Sequence, residues 1–219
     1  RFPKYYRSLS SDRILTMDWM DGQHIQSFAK AHKGTELACR LGQSLWDFYM
    51  YQMHFLKKVH ADPHPGNFLV DAENRLVPID FGCMKQVPES FYTPYFALAT
   101  AEAQKDRRVF DALLWDLEIL VPSDDQATLI YVSDLFHELL SLFTQPFQQD
   151  LFDFSNPAFW EAVGALSKRL SSDQTIRKMN GNRGSKHFLY INRTFYGLYN
   201  LLFDLGARVD TRSFARYMN

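Results

Sequence analysis

The sequence predicts a mainly α-helical fold that carries one small β-hairpin. Beyond Gly82, apolar residues recur at helical spacing almost to the end of the chain. Before it, two short apolar runs, Phe68–Val70 and Leu76–Ile79, flank the turn-rich segment Asp-Ala-Glu-Asn at 71–74, which is typical of a hairpin. With 219 residues, 46% of them hydrophobic and 22% charged, the chain can form one ordinary core, so we expect a single domain over residues 1–219.

The amino-terminal quarter is expected to contain a strand and two helices. The strand is Arg13–Met20, whose apolar density ends at an Asp-Gly turn. A short helix is predicted over 24–31, and Thr35 is a suitable N-cap for a longer one. The apolar stripe that this longer helix would bury consists of Leu37, Leu41, Leu45, Phe48, Met53 and Leu56. We expect the helix to end just before residue 60 and to support the loop that follows.

The remainder of the chain is predicted to form helices joined by polar loops. The first would span 88–104 with a kink at Pro94, and the second would span 106–117. A stripe of period 3.6 marks the third, and its members are Leu129, Val132, Phe136, Leu139 or Leu140, and Phe143. Pro146 interrupts this pattern. Two further helices are predicted over 157–170 and 186–205, separated by a polar segment.

Residues 60–82 contain the motif that suggests a function. In kinase-type sites, one Asp orients the attacking hydroxyl, an Asn five residues later binds a metal ion, and a second Asp, before Phe-Gly, binds the metal that bridges the phosphates. Asp62, Asn67 and Asp80 have this order and spacing. Because antiparallel pairing brings the start of one strand beside the end of the other, the hairpin would place Asn67 next to Asp80. The pattern therefore predicts a phosphoryl-transfer site.

The same stretch leaves simpler and competing interpretations open. His60, Asp62 and His64 alternate as zinc ligands can. However, Pro63 and Pro65 restrict the loop, and no further His or Cys cluster follows to complete a ligand set. Asp-Pro and Gly-Asn pairs also occur in ordinary turns. The combined spacing favours the nucleotide site over both, with His60 packed beneath the loop and bonded to backbone, and His64 beside the phosphates.

Several segments resemble the AarF/UbiB family, also called ABC-one, of atypical protein-kinase-like proteins. The main one is His-Ala-Asp-Pro-His-Pro-Gly-Asn-Phe-Leu-Val at 60–70, followed by Val-Pro-Ile-Asp-Phe-Gly at 77–82. Residues 14–22 are similar to the family's hinge between its two lobes, with Asp18 where Glu is more usual. The segment 192–199 is also similar, so the resemblance covers most of the chain.

This resemblance implies a protein-kinase-like large, carboxy-terminal lobe. Residues 1–22 would form the hinge region, 60–82 the catalytic loop, hairpin and metal-binding Asp-Phe-Gly, and 86–219 a helical remainder. The amino-terminal lobe, with a Lys-x-Gly-Gln segment, an Ala-rich nucleotide loop and the phosphate-holding Lys and Glu, is absent and is expected to precede this chain. We therefore expect the chain alone to be inactive, with unpaired backbone groups near Leu15 and Met17 where the missing lobe should lie.

The resemblance also implies residue roles and an activity. Asp62 would be the catalytic base or water-orienting residue, and Asn67 and Asp80 would bind Mg²⁺. The residues expected to contact the ATP cofactor are Met17, Asp18, His64, Asn67 and Asp80. The implied activity is that of an ATP-dependent phosphotransferase or ATPase linked to ubiquinone (isoprenoid quinone) biosynthesis. The alternative is a nucleotide-sensing module that phosphorylates nothing and assists assembly of a lipid pathway; a small-molecule phosphotransferase or a zinc hydrolase is more remote.

Composition narrows the expected partners and compartment. The formal net charge is −1, so no global field favours nucleic acid, and ATP and the missing lobe are the expected partners. Cys39 and Cys83 form neither a disulfide framework nor a zinc motif. A reducing cytoplasm or organelle matrix fits this cysteine usage, with peripheral contact to a membrane as an additional expectation. No stretch approaches the roughly 18 apolar residues of a spanning helix.

Two features suggest a lipid or a membrane surface, and each has a simpler explanation. Aromatic residues make up 16% of the chain; core packing accounts for most of them, and a pocket for a lipid or quinone precursor is the minority interpretation. Basic residues also gather around the Gly-containing loop at 181–184, namely Arg177, Lys178, Arg183, Lys186 and Arg193. A solvated loop far from the hairpin is the simpler explanation, and contact with a membrane surface or a phosphate is the alternative.

Overall fold

A computed structural model describes residues 1–173, 175–176 and 183–217 of the chain. Its helices are α1 (Ile25–His32), α2 (Glu36–Met50), α3 (Glu89–Ala97), α4 (Ala101–Lys105), α5 (Arg107–Asp116), α6 (Gln126–Phe143), α7 (Pro157–Ser172) and α8 (Lys186–Leu205). Its strands are β1 (Gln23–His24), β2 (Lys58–His60), β3 (Phe68–Val70), β4 (Leu76–Pro78), β5 (Met84–Gln86), β6 (Leu151–Asp153) and β7 (Arg208–Asp210). The predominance of helix confirms the predicted fold class.

Helix α2 lies at the centre of the core. Thr35 Oγ1 accepts a hydrogen bond from Ala38 N at 3.3 Å, which confirms the predicted N-cap. The side of α2 that faces the core consists of Ala38, Leu41, Gly42, Leu45, Trp46, Tyr49 and Met50. The helix continues as a π turn over Tyr51–Leu56. Because a π turn is wider than an α turn, the apolar stripe rotates there; Leu56 is exposed, and its predicted burial is wrong.

The predicted hairpin is present as β3 and β4. The strands pair antiparallel with Phe68 opposite Pro78 and Val70 opposite Leu76. The turn between them is stabilised by Asp71, whose Oδ1 accepts hydrogen bonds from the backbone of Glu73 and Arg75. This is the usual way in which Asp stabilises a turn. Strand β1 pairs with the outer side of β3, giving a three-stranded sheet in the order β1-β3-β4.

The prediction of a strand over Arg13–Met20 is wrong. The segment makes only isolated bridges, between Tyr5 and Met17 and between Ser11 and Ile14, and the strand beside the hairpin is β1, which begins after it. Leu15 is 67% exposed and Trp19 is 88% exposed. An apolar run forms a regular strand when a sheet edge and a core are available to it, and here most of the segment lies on the surface, with Met20 alone packed against Leu69 and Val77.

Two small sheets were not predicted. Strand β2, immediately before the catalytic motif, pairs antiparallel with β5, immediately after it. Strand β6 pairs with β7 near the carboxy terminus. Each of these strands has three residues, which is too short for the two-residue alternation of a strand to be recognised. The β2–β5 pair closes residues 61–83 into a loop that is fixed at both ends.

The helices beyond the hairpin follow the predicted order with one division. The helix predicted over 88–104 is two, α3 and α4, because Thr100 starts a new helix by accepting a hydrogen bond from Ala103 N. Pro94 lies inside α3, which ends three residues later. Asp106 caps α5 through Arg108 N. Helix α8 has the predicted bounds and ends at Gly206, whose φ of 61° is the left-handed conformation that favours glycine.

One apolar cluster joins α1, α2, α3, α5 and α8 with the hairpin. Helix α2 packs tightly at Gly42, where an added Cβ would lie 2.5 Å from Ala207 Cβ. Glycine there allows α2 to lie directly against the end of α8. None of the helices in the described ranges is both long and apolar enough to cross a bilayer.

Candidate nucleotide and metal site

The catalytic-motif loop begins where β2 ends. Ala61 N donates to Cys83 O at 2.8 Å, which continues the β2–β5 pairing to the residue before Asp62. Residues Pro65–Asn67 form a 3₁₀ turn whose N-cap is His64; its Nδ1 accepts a hydrogen bond from Gly66 N at 3.1 Å. The two prolines and this cap restrict the loop to one conformation. The loop therefore presents Asp62 and Asn67 from a fixed backbone.

Asp62 and Asn67 are joined directly. Asn67 Nδ2 donates to the Asp62 backbone oxygen at 3.0 Å and to Asp62 Oδ2 at 3.1 Å. An amide group has two donor hydrogens on nitrogen and a separate acceptor oxygen. Because both contacts use the nitrogen, the amide oxygen of Asn67 is left available for a cation.

Asn67 and Asp80 lie side by side at the open end of the hairpin. Ile79 N donates to the backbone oxygen of Asn67 at 3.0 Å, so Asp80 follows directly after this last contact. Asp80 Oδ1 accepts a hydrogen bond from Gly82 N at 2.7 Å, and the residue is exposed. The juxtaposition expected from antiparallel pairing is present, although the metal role of both residues stays a prediction.

The donor set suits Mg²⁺ better than zinc. One amide oxygen and one carboxylate are hard oxygen ligands, and Mg²⁺ is commonly held by one or two such groups, with water and phosphate oxygens completing the shell. In the described part of the chain, no group of three or more His, Cys, Asp or Glu side chains could hold a metal ion. His64 uses Nδ1 to cap the 3₁₀ turn. The zinc interpretation therefore has no ligand set in these residues.

His60 lies beneath the loop, as predicted. Its ring is buried and contacts Phe68 and Phe81 edge-on, with centroid distances of 6.1 and 5.8 Å. The His60 backbone N–H donates to Gln52 Oε1 at 2.8 Å. Burial lowers the pKa of the His60 imidazole, and the negative charges of Asp62 and Asp80 oppose that effect. A neutral, packed ring of this kind supports the loop from below.

The expected adenine-side residues belong to a surface segment that folds back on itself. Asp18 Oδ1 accepts a hydrogen bond from the Tyr6 hydroxyl at 2.7 Å, and this contact lowers the pKa of the Asp18 carboxyl. Asp18 N donates to Lys4 O at 2.9 Å. The carboxylate of Asp18 is thus used within its own segment. The expectation of unpaired backbone groups near Met17 is partly wrong, because residues 4–6 form a bridge to this segment.

Tyr5 links this segment to the hairpin end. It forms the bridge opposite Met17. Partial burial raises the pKa of the Tyr5 hydroxyl, and the nearby charge of Asp80 raises it further. Met17 therefore pairs with a residue whose hydroxyl is influenced by the charge of Asp80, and its contact with the nucleotide stays a prediction.

Arg193 was not recognised as a site residue, and its assignment to a remote basic loop is wrong. Arg193 Nη2 lies 2.8 Å from Asp62 Oδ1, across 131 residues of sequence. The reason is the length of α8, which starts at the basic loop, passes the catalytic loop at Arg193 and Gly197, and ends beside Gly34, so its residues do not share one location. The usable signal in the sequence was Gly197, four residues after Arg193, since a glycine inside a predicted helix indicates close packing.

Arg183 lies elsewhere and is not a solvated loop residue. Its guanidinium makes two hydrogen bonds of 2.6 Å to the Asp124 carboxylate and a third to Ile119 O. This pair lies between the α5–α6 connection and the start of α8, away from the hairpin. Lys186 is exposed. Arg177 and Lys178, the other members of the predicted basic cluster, lie outside the described residues.

The sequence model of the ABC1 atypical kinase-like domain matches residues 1–113, which include the hinge segment, the catalytic loop and the hairpin. This match covers more than half of the chain. The chain belongs to the ABC1 atypical kinase-like family. The AarF/UbiB resemblance is thereby confirmed, since ABC1 and AarF are names of the same kinase-like group among its relatives.

The relatives include chloroplast and animal ABC1 proteins. Protein ACTIVITY OF BC1 COMPLEX KINASE 7, chloroplastic, of Arabidopsis thaliana is 28% identical over 178 residues, covering 81% of this chain and 24% of the relative. AarF domain-containing kinase 1 of Drosophila melanogaster is 33% identical over 116 residues, covering 49% of this chain and 22% of the relative. The chain therefore spans about a quarter of the length of these curated relatives or less.

A solved structure shares the fold over the whole chain. The complex of Rv3197 with erythromycin from Mycobacterium tuberculosis superposes with a TM-score of 0.72 at 17% identity, covering all of this chain and 54% of that protein. At that identity the likeness establishes the architecture alone. The ABC1 chain therefore has the fold of a kinase-like large lobe.

Proposed function

We propose that this ABC1 chain binds Mg²⁺-ATP and takes part in transfer or hydrolysis of its terminal phosphoryl group. The single observation that carries the proposal is the arrangement of Asp62, Asn67 and Asp80. The loop and the hairpin bring all three to one end of the sheet, and Asn67 uses its amide nitrogen on Asp62, which leaves its oxygen free. Phosphoryl transfer depends mostly on positioning and charge neutralisation, which this arrangement can provide.

Each residue has a separate task in this proposal. Asn67 Oδ1 and the free carboxylate oxygen of Asp80 would hold Mg²⁺, which supplies the positive charge that bridges and neutralises the phosphates. Asp62 would orient the attacking hydroxyl or water and accept its proton. His64 is exposed on the loop beside them and is suited to contact the phosphates.

The adenine would lie against the amino-terminal segment. Leu15, Met17 and Trp19 are exposed there, and apolar side chains of this kind commonly cover the flat faces of a nucleobase. Asp18 contributes to the segment's conformation rather than to the nucleotide, because its carboxylate and its backbone N–H are both used by residues 4–6. We therefore retain Met17 as the nucleotide contact and assign Asp18 to support it.

The test compares two isosteric substitutions in the full-length protein. Asp80→Asn should weaken Mg²⁺-dependent nucleotide binding by more than about 100-fold, because a neutral amide cannot replace a carboxylate on a metal that bridges phosphate charges. Asp62→Asn should leave binding unchanged and depress turnover by about 100-fold or more, since its task arises in the transition state. Calorimetry measures the first effect and phosphate release the second. Unchanged binding by Asp80→Asn would remove it from the metal site.

A second candidate function is a nucleotide-dependent response to an apolar ligand, in line with the proposed link to an isoprenoid quinone or lipid pathway. A cavity of about 250 Å³ lies between α3, α6 and α8. It is lined mainly by aromatic and aliphatic side chains, among them Phe96, Phe136, Leu140, Phe147, Phe188 and Phe195. Small-molecule sites are typically apolar concavities with a few polar groups, and Thr144 and Asn192 supply those here.

Filling this cavity separates the two candidate functions. Leu140→Trp should abolish binding of a short-chain ubiquinone analogue, because the larger ring would occupy the space. Mg²⁺-ATP affinity should remain within about twofold, because the cavity and the metal residues do not share side chains. Binding of the analogue by tryptophan fluorescence, with Leu140→Met as the matched control, gives the answer. Equal analogue binding by both variants would rule out this cavity as its site.

A further inference from the structure

Helix α8 approaches the catalytic loop along one face. Arg193 and Gly197 are four residues apart, so they lie on the same side of the helix. Gly197 packs against Pro63, the residue that follows Asp62; a Cβ added at position 197 would lie 2.1 Å from Pro63 Cγ. No larger residue fits at that distance. The absence of a side chain at Gly197 therefore allows the approach that brings Arg193 to Asp62.

Other contacts fix the position of α8 next to Arg193. The Tyr95 hydroxyl of α3 donates to Asn192 Oδ1 at 2.7 Å. The Lys85 ammonium of β5 lies 5.1 Å from the centroid of the Tyr190 ring. Because β5 pairs with β2, the strand that leads into the catalytic loop, the same sheet supports both partners. The location of the Arg193 backbone is thus determined by the packing of the helix, and the ion pair holds the guanidinium.

The Asp62 carboxylate is held at both oxygens. Arg193 Nη2 contacts Oδ1 at 2.8 Å, and Asn67 Nδ2 contacts Oδ2 at 3.1 Å. A carboxylate offers about four acceptor positions, so each oxygen retains capacity for a substrate hydroxyl or a water. The rotation of a carboxyl group about its last torsion is otherwise loosely restrained. Two donors on opposite oxygens fix it.

Stability does not account for this pair. The side chains of Arg193 and Asp62 are 61% and 36% exposed, and exposed ion pairs contribute little to stability because water and salt screen them. Within the described residues, Arg193 is the sole cation in ion-pair distance of Asp62. Its contact is therefore better explained by what it does to the carboxylate.

We infer that Arg193 is a positioning residue for Asp62. Helix α8 places it at the catalytic loop because Gly197, which has no side chain, lets the helix pack directly against Pro63. Its guanidinium holds the carboxylate in the orientation in which it receives the attacking hydroxyl or water. The inference rests on the function proposed above for Asp62. Misplacing a reacting group by about 1 Å can lower a rate on the order of 100-fold, so the effect of removing Arg193 is measurable.

The first test uses three variants of the full-length protein: Arg193→Met, Arg193→Lys and, as a matched control, Lys186→Met on the exposed start of the same helix. Arg193→Met should lower kcat by about 10- to 100-fold. The affinity for a non-hydrolysable ATP analogue with Mg²⁺ should stay within about twofold. Arg193→Lys should recover part of kcat, because it restores the charge without the planar fork. Lys186→Met should match wild type.

The second test is a double-mutant cycle, which a merely structural role would not satisfy. In an Asp62→Asn background, Arg193→Met should cause no further loss of kcat, because a residue that acts through Asp62 has nothing left to position. Gly197→Ala, which pushes α8 away from Pro63, should also lower kcat, as Arg193→Met does. Thermal melting should show both Arg193 variants folded, since the pair is exposed.

The outcomes distinguish this inference from the proposed function. If wild type binds and turns over Mg²⁺-ATP but Arg193→Met does so equally well, the positioning role is overturned and the proposed function stands. Additive losses in the cycle also overturn the role. If wild-type protein neither binds nor turns over nucleotide, the proposed function fails, and this inference fails with it.

Discussion

Two Arg–Asp pairs, whose arginines are ten residues apart on the chain, show how differently the same chemistry can be used. Arg183 and Asp124 are largely buried, with side chains 18% and 8% exposed, and they meet in a two-pronged contact. Arg193 is largely exposed and Asp62 partly exposed, with side chains 61% and 36% exposed, and they meet through one guanidinium nitrogen. The first pair joins two helical regions, whereas the second lies at the candidate catalytic carboxylate.

The difference predicts which pair matters for folding and which for chemistry. Removing one member of a buried pair leaves an uncompensated charge, which is costly. Removing one member of an exposed pair is compensated by water. The Arg183 pair should therefore affect stability without affecting turnover, and the Arg193 pair should do the reverse. Measurements of turnover, stability, pH dependence and nucleotide affinity distinguish the two pairs.

The largest expected effect is on turnover. Asp62→Ala should lower kcat about a thousandfold, because it removes the group that orients and deprotonates the nucleophile. Asp124→Ala should leave the kcat of the folded fraction within about twofold, since it lies outside the site. Single-turnover phosphate release, corrected for folded protein by circular dichroism, measures both. Similar losses for the two variants would mean that the contrast is wrong.

The second effect is on stability. Arg183→Met should lower the free energy of unfolding by about 2–4 kcal/mol, because Asp124 loses its buried partner. Arg193→Met should lower it by less than about 1 kcal/mol. Urea unfolding followed by tryptophan fluorescence gives both values. The matching substitutions at two arginines of one protein serve as each other's control, and equal losses would contradict the assignment.

The third effect is the pH dependence of the buried pair. Hydrogen bonds from Arg183 hold the pKa of the Asp124 carboxyl below its ordinary value of 3.8. A lowered pKa in the folded state contributes stability that is complete above pH 3.8 and is lost as the pH falls through the folded value. The melting-temperature difference between wild type and Asp124→Asn should therefore be constant near neutrality and shrink below pH 3.8. A difference that grows on acidification would contradict the ion pair.

The smallest expected effect is that of the basic residues at the start of α8 on nucleotide affinity. Replacing Arg183 and Lys186 by Ser should leave the Kd for Mg²⁺-ATP within about twofold, because neither side chain reaches the hairpin. Calorimetry on the folded variant tests this. A large loss of affinity would show that the topology is misjudged. A selective loss of binding to anionic liposomes would instead support the membrane interpretation of these residues.

Much of the fold could be predicted because its longer elements are periodic. Helices α2, α6 and α8 repeat their apolar residues over four or more turns, and the hairpin has a distinct turn signal between β3 and β4. The unpredicted strands β2, β5, β6 and β7 have three residues each, and their pairing depends on partners distant in sequence. Local pattern contains no information about such partners.

The residues of the candidate site likewise include some that local sequence predicts and one that it does not. Asp62, Asn67 and Asp80 fall within twenty residues, so their spacing, together with the hairpin predicted between Asn67 and Asp80, predicted that they would converge. Arg193 contacts Asp62 from 131 positions away, and although Gly197 indicates close packing of the helix, the local sequence does not indicate that the partner is the catalytic loop. The strand expected over Arg13–Met20 failed for a related reason: its partner is the irregular segment at residues 4–6, with which it forms one isolated bridge instead of a regular ladder.

The Tyr95–Asn192 hydrogen bond has a thermodynamic consequence. Asn192 borders the apolar cavity, and the next residue on the helix holds Asp62. Consecutive residues on one rigid helix cannot shift independently, so a ligand that displaces Asn192 also displaces the guanidinium. Coupling between two sites is reciprocal by thermodynamic necessity. Since displacing Arg193 is expected to change kcat and to leave nucleotide affinity within about twofold, nucleotide should in turn alter the affinity for a cavity ligand by no more than about twofold, and one titration in each direction measures both factors.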